Sequence, residues 1–150
     1  MERYLRSKLK AGRFAPVTPT RSNIMASIRG KSNKSTEQVL RFALVRAGIR
    51  GWRVNADELP GKPDFYFDDP GLAVFVDGCF WHGCPQCGHV PKTRSPFWEA
   101  KFQRNRMRDA RNARKLRQLG VCVIRVWEHS LKTPVGRHRV LARIQAKRIP

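Results

Sequence analysis

Acidic residues are scarce in this chain. Asp and Glu number 11 against 31 Lys and Arg in 150 residues, a formal charge of +20. A surface this short of carboxylates disfavours cationic partners and calls for a polyanion, of which nucleic acid is the obvious one. Long apolar runs are missing as well. The longest, Leu72 to Val76, is far below the ~20 residues that span a bilayer, so no membrane partner is expected. With 41% hydrophobic residues the chain still has material for a folded core. Met1 to Arg13 lacks the apolar centre of a secretory signal, and cytoplasm is the expected compartment. There is no internal repeat or long low-complexity tract, so the length suits one domain. Cysteine is sparse and unevenly placed: Cys79, Cys84 and Cys87 crowd into nine residues, while Cys122 sits alone in an apolar run. That distribution fits metal ligation plus one buried thiol better than paired disulfides.

What is present divides the chain into an α/β pattern. Residues 1–20 carry Pro16, Pro19 and scattered bases without periodicity, and read as a flexible basic arm. Ser35-Thr36-Glu37-Gln38 has the form of a capping box. Val39, Leu40, Ala43, Leu44 and Ala47 follow at helical spacing as far as Gly48. Trp52 to Asn55 and Asp64 to Phe67 read as short strands. Asp68-Asp69-Pro70-Gly71 is a turn, and Leu72 to Asp77 a buried strand. Ser95 as N-cap, with Pro96 next, opens a long helix that Gly120 closes after Leu119. Val121 to Trp127 is then an apolar strand. The expected order is αβββαβ, with the arm at 1–20, the domain at 21–131 and a basic tail at 132–150.

Three groups of residues carry chemistry. Gly61-Lys62-Pro63-Asp64 enters one strand and Asp77 ends the next, so a hairpin would bring two carboxylates together. Phosphodiester hydrolysis uses a divalent ion to neutralise the phosphoryl oxygens and activate water, and Mg²⁺ binds through one or two carboxylates. A Pro-Asp pair alone is ordinary turn chemistry. Directly after Asp77, however, comes Gly78-Cys79-Phe80-Trp81-His82-Gly83-Cys84-Pro85-Gln86-Cys87. Its three thiols are soft ligands for tetrahedral zinc, with His129 or His89 as the fourth, His129 being preferred. His82 lies among the cysteines but is not needed by them, and can pass protons near neutral pH. Its alternative is a structural histidine. Glu37, in a first helical turn, is accounted for by the helix dipole unless a site elsewhere recruits it.

On the long helix, Trp98, Phe102, Asn105, Asp109, Ala113 and Leu116 share one face. Asn105 and Asp109 interrupt an apolar stripe, so they should face a polar site. Lys101 to Arg117 holds eight Lys or Arg and only one acid, Asp109, a one-signed run suited to phosphate contact. Phe80 and Trp81 sit on a glycine-bearing loop where core packing is expected to be thin.

In order along residues 21 to 130, several segments resemble the very short patch mismatch-repair endonucleases. They are Arg21-Ser22 through Ile28-Arg29-Gly30-Lys31, Leu59-Pro60-Gly61-Lys62-Pro63-Asp64, Gly78-Cys79-Phe80-Trp81-His82, Val90-Pro91-Lys92-Thr93-Arg94, Phe97-Trp98 and Val126-Trp127-Glu128. The resemblance implies a restriction-endonuclease-like fold of the PD-(D/E)XK type, with a mixed sheet flanked by helices. It also implies a structural Zn²⁺ and Mg²⁺-dependent nicking 5′ to the thymine of a T:G mismatch. By that likeness Asp64 and the Val76 carbonyl hold Mg²⁺, His82 activates water, and Glu37 and Asp109 support water and proton relay. Asp77 adds a second strand carboxylate, although the lysine of the wider motif is here Cys79. Cys79, Cys84, Cys87 and His129 would hold zinc. Phe80, Trp81 and Trp98 would wedge into the base stack, and Arg21, Lys92, Arg94 and Asn105 would contact DNA. By the same likeness the substrate would be double-stranded DNA with a T:G mismatch, met in a bacterial cytoplasm on the nucleoid. A monomer is expected, with mismatch-repair proteins and a cytosine methyltransferase as associates by resemblance only. The rival readings are a restriction-type or general nuclease on the same fold and a non-catalytic zinc-stabilised nucleic-acid-binding module.

Overall fold

The computed structural model describes residues 19–92 and 94–148, the side chains of 21, 22 and 24–34 excepted. Its elements are α1 (Pro19–Arg46), β1 (Trp52–Val54), β2 (Phe65–Phe67), β3 (Leu72–Asp77), α2 (Ser95–Gln118), β4 (Cys122–Trp127), α3 (Glu128–Lys132) and α4 (Pro134–Arg148). The four strands form one mixed sheet in the order β1-β2-β3-β4. β1, β2 and β3 are an antiparallel meander, and β4 joins β3 in parallel after the crossover through α2.

Residue alternation on β3 explains the layers. A strand points successive side chains to opposite faces, and all of β3 is buried. Leu72, Val74 and Val76 pack with Phe65, Phe67, Ile124 and Val126 beneath α1, α3 and α4, which contribute Leu40, Leu44, Leu131, Val140 and Ile144. Ala73 and Phe75 face the other way, toward Leu116 of α2 and Val121. A fully buried Leu or Phe stabilises the fold by about 1.5–3 kcal/mol, so Leu40, Leu44, Phe65 and Phe67 fix the sheet against the helices.

Register then decides what meets at the strand ends. Asp77 lies beside Trp127, and Phe65 opposite Val74. The cysteine loop leaves β3 next to the point where Glu128 and His129 leave β4, and Asp64 enters beside Val76.

Several expectations need correction. The first helix does not start at Ser35: α1 runs unbroken from Pro19, so the Ser35 box lies in its interior. Pro19 is at the first helical position, where the missing N–H is harmless, and Gly30 alone costs only about 1 kcal/mol. The cap of α2 is Arg94, with φ of 60° and no side-chain capping bond, and Ser95 is already helical. The stretch read as a basic tail contains α4, anchored by Val140 and Ile144 at helical spacing. Cys122 is exposed rather than buried, because it opens an edge strand. Of the arm expected at 1–20, Pro19 and Thr20 open α1, and residues 1–18, like Thr93 and 149–150, lie outside the described residues. Among the described residues no helix is long and apolar enough to cross a membrane.

Candidate active site and thiol cluster

Asp64, Val76, Asp77, His82, Asp109 and Arg125 line one open cleft of about 460 Å³. Asp64 is placed by the Gly61-Lys62-Pro63 turn. A Cβ at Gly61 would meet Asn112 of α2 at 2.9 Å, and its φ of +82° suits glycine. The Asp64 Oδ2 accepts the Val76 N–H at 2.6 Å, and the Glu37 side chain hydrogen-bonds the same carboxyl group. Burial, with the Asp77 charge adding to it, raises the Asp64 pKa above the ordinary carboxylate value, against the opposing Val76, Glu37 and Arg125 interactions. Two carboxyl groups in contact must share a proton or a cation. This oxygen-only pair fits a hard divalent ion.

His82 is held by a different carboxylate. Its Nδ1 lies 2.7 Å from Asp109 Oδ2 and 3.7 Å from Asp77 Oδ1. An ionised carboxylate only accepts, so Nδ1 is the donor and Nε2 is the basic nitrogen. Burial pushes the Asp109 pKa up, but the His82 hydrogen bond and the charges of Arg125, His82 and Arg108 outweigh it, leaving a net lowering. Arg108 lies 3.4 Å and Arg125 3.1 Å from that carboxylate. Asp77 is 3% exposed and is taken by Arg125, whose Nε donates to Oδ2 at 2.6 Å and whose Nη2 donates to Oδ1.

Next to the cleft, the ligand atoms of Cys79, Cys84, Cys87 and His129 all lie within 4.8 Å of one another. His129 Nδ1 is 3.3, 3.5 and 3.4 Å from the three sulfurs in turn. Tetrahedral zinc sets such nitrogen–sulfur edges near ~3.6 Å, so the donor set fits that ion. Burial pushes the Cys79 thiol up to about 12, so metal loading there displaces a proton. The loop is shaped by the Cys84 N–H bond to Cys79 O at 2.9 Å and the Gly88 N–H bond to Cys84 O at 2.8 Å. A Cβ at Gly88 would stand 2.4 Å from Cys84 O. His89 is outside this cluster, its ring 5.7 Å from that of Phe80.

The loop is not thinly packed. Phe80 lies 5.0 Å from both Trp81 and Trp98 and 5.6 Å from Phe102 between ring centroids. Lys101 Nζ stands 5.1 Å from both tryptophan rings. Trp81 is 7% exposed, and Asn105 donates from Nδ2 to its carbonyl at 2.8 Å. The premise that Trp81 lacks core contacts is therefore wrong: the loop folds back onto Trp98 and Phe102 of α2. Lys92 is exposed, Arg94 caps α2, and the Arg21 side chain is outside the described residues.

Reading the sequence missed three residues. Arg125 is the lone charge in the apolar strand β4, a signal that was available. Glu128, present in the Val126-Trp127-Glu128 segment but given no role there, accepts the Cys79 N–H at 3.2 Å, and Lys101 was absorbed into the basic run, where no pattern distinguished it.

Comparison with known proteins agrees with this geometry. The family model described as DNA mismatch endonuclease Vsr matches residues 16–88. The type II nicking enzyme V.NaeI of Lentzea aerocolonigenes is 40% identical over 120 residues, 77% of this chain and 71% of that one. V.NmeAIP of Neisseria meningitidis serogroup A is 38% identical over 117 residues, covering 77% and 81%. The DNA mismatch endonuclease Vsr of Escherichia coli is 38% identical over 115 residues, covering 75% and 72%. Similarity that spans more than two thirds of each of these relatives makes this chain a member of the DNA mismatch endonuclease Vsr family, and hence a DNA endonuclease.

Proposed function

We propose that this protein is a Mg²⁺-dependent endonuclease that nicks one strand 5′ to the thymine of a T:G mismatch. The observation that carries the reading is one cleft lined by two separate devices: Asp64, whose carboxyl group Glu37 hydrogen-bonds, and His82 oriented by Asp109. Asp64 and the Val76 carbonyl would hold Mg²⁺, which when bound supplies charge neutralisation at the phosphoryl oxygens and lowers the pKa of water. His82 accepts a proton from the attacking water at Nε2, while Nδ1–H keeps its bond to Asp109. Asp109, held ionised, stabilises the imidazolium so formed. Glu37 orients the Asp64 carboxyl group. Asp77 is left out of the metal set because Arg125 occupies its oxygens.

Asp64, immediately before β2, and Asp77, the last residue of the antiparallel neighbour β3, support the PD-(D/E)XK-type assignment, with Cys79 in place of the lysine. The four-ligand cluster is read as structural zinc, since it leaves no open position. The +20 charge supports duplex DNA as partner, and bacterial relatives that act on DNA support a cytoplasmic location. The cleft is built wholly from residues of one chain, which supports a monomer that cuts one strand. The aromatic group at Phe80, Trp81 and Trp98 supports mismatch selection: unstacking a base step costs roughly a few kcal/mol, and less where pairing is already weak.

The test is cleavage of a duplex with one T:G pair against its T:A counterpart, with and without Mg²⁺. The expected result is one nick, on the thymine strand of the mismatched duplex, only with Mg²⁺ present. Equal cutting of the T:A duplex would favour a restriction-type nuclease instead. Binding without any cleavage would favour a non-catalytic module.

A further inference from the structure

We propose that Arg125 is a positioning residue of this active site, acting through Asp77 and Asp109 to hold the His82 imidazole with Nε2 toward the cleft. The inference rests on the endonuclease reading above and names a residue that reading does not use.

Arg125 stands where its fork is fixed on three sides. It pairs with Phe75 in the β3–β4 register, and its guanidinium lies 5.2 Å from the Phe75 ring centroid. From β3, both Asp77 oxygens accept from it. From α2, Asp109 Oδ2 lies 3.1 Å from Nη2, and this same oxygen is 2.7 Å from His82 Nδ1. Asp77 Oδ1 closes the ring of contacts at 3.7 Å from Nδ1.

Two carboxylates that both reach one imidazole nitrogen repel each other and compete for its proton. A guanidinium between them removes the repulsion and draws Asp77 onto itself, which leaves Nδ1–H to Asp109 alone. The ring then has one orientation. The planar fork is what allows two carboxylates to be engaged at once. A lysine ammonium at the same place is a point charge without that geometry.

The experiment uses the zinc-loaded full-length chain and the variants Arg125→Lys, Arg125→Met and Asp77→Asn/Arg125→Met. Arg125→Met alone leaves Asp77 buried without a counter-charge and is expected to be unstable. Arg125→Lys keeps the counter-charge without the fork and is the decisive one, while the double variant removes the competing Asp77 carboxylate together with Arg125. Three quantities are read: the single-turnover nicking rate on the T:G duplex, the dissociation constant for that duplex, and the His82 tautomer by ¹⁵N NMR at fixed pH.

Arg125→Lys should fold and bind DNA as the wild type does. It should nick about 10- to 100-fold more slowly, the range for loss of a group that orients a functional side chain, and show His82 as a mixture of tautomers. The double variant, with no second carboxylate to compete for Nδ1–H, should recover much of both the rate and the single tautomer. A wild-type rate in Arg125→Lys would overturn the proposal and reduce Arg125 to a counter-ion for Asp77. Weakened binding at an unchanged rate would overturn it in favour of a phosphate contact. An unmoved His82 signal in Arg125→Lys overturns it whatever the rates. A wild-type protein that fails to nick while Arg125→Lys still shifts His82 would strike the substrate reading and support the positioning.

Discussion

The thiol cluster and the acid cleft share one stretch of chain yet have opposite designs. Asp77 is two residues before Cys79, and His82 lies between Cys79 and Cys84. In the thiol cluster every donor faces the others, within 4.8 Å, and nothing is left for substrate. In the cleft the donors are hard oxygens and one imidazole, spread around an open space and held in place by neighbours rather than by each other. Soft, mutually satisfied ligands suit a structural ion, and hard, partly unsatisfied ones suit a site where a phosphate must enter. The backbone separates the two by turning the loop: Cys84 N–H closes on Cys79 O, and His82 N–H on Gly78 O at 3.1 Å. The cysteines thus point to His129 and the histidine to Asp109.

Substitutions on the two sides should break this pairing in different ways. Asp64→Asn should abolish detectable nicking, and His82→Ala should slow it by about 10²–10⁴-fold. Both should keep one zinc per chain and near wild-type DNA affinity, measured by elemental analysis and a duplex titration. Nicking retained by Asp64→Asn would remove the cleft from the mechanism.

Cys84→Ser should do the reverse first and lose activity only as a consequence. Zinc should fall from about one per chain toward zero, and the thermal midpoint should drop, because a structural site contributes its binding energy to folding. Calorimetry with and without a chelator checks it. Unchanged stability on full zinc loss would mean that the cluster does not staple the fold.

Trp81→Ala tests the aromatic group between the two sites. At 7% exposure its removal should cost about 3–5 kcal/mol by denaturant titration, with zinc retained. Trp81→Phe keeps much of the packing and should weaken binding to a T:G duplex more than to a paired one. Equal weakening of both would make the ring purely structural.

The smallest effect is expected at Cys122. Cys122→Ser changes an exposed edge-strand residue and should leave zinc content, nicking rate and stability within about 0.5 kcal/mol of wild type. Loss of zinc in this variant would show that Cys122 is itself a ligand and that the set of Cys79, Cys84, Cys87 and His129 is wrong.

The sequence by itself determined the strands, the hairpin turn and the long helix, because alternation, turn residues and a Pro-started apolar stripe are local signals read within a few residues. It also determined the thiol set and the pairing of Asp109 with a polar site, since an acid on an apolar helix face must find a partner. Tertiary structure decided the rest. The reach of α1 back to Pro19 had no apolar period to announce it, and the helix is held by Leu40 and Leu44 near its other end. His129 rather than His89 beside the thiols, Glu37 against Asp64, and Asp77 paired with Arg125 all depend on the parallel register of β3 and β4 and on where α1 and α2 lie on the sheet. Contacts between residues dozens of positions apart leave no trace in local pattern, and only the packed core brings their side chains within hydrogen-bonding distance.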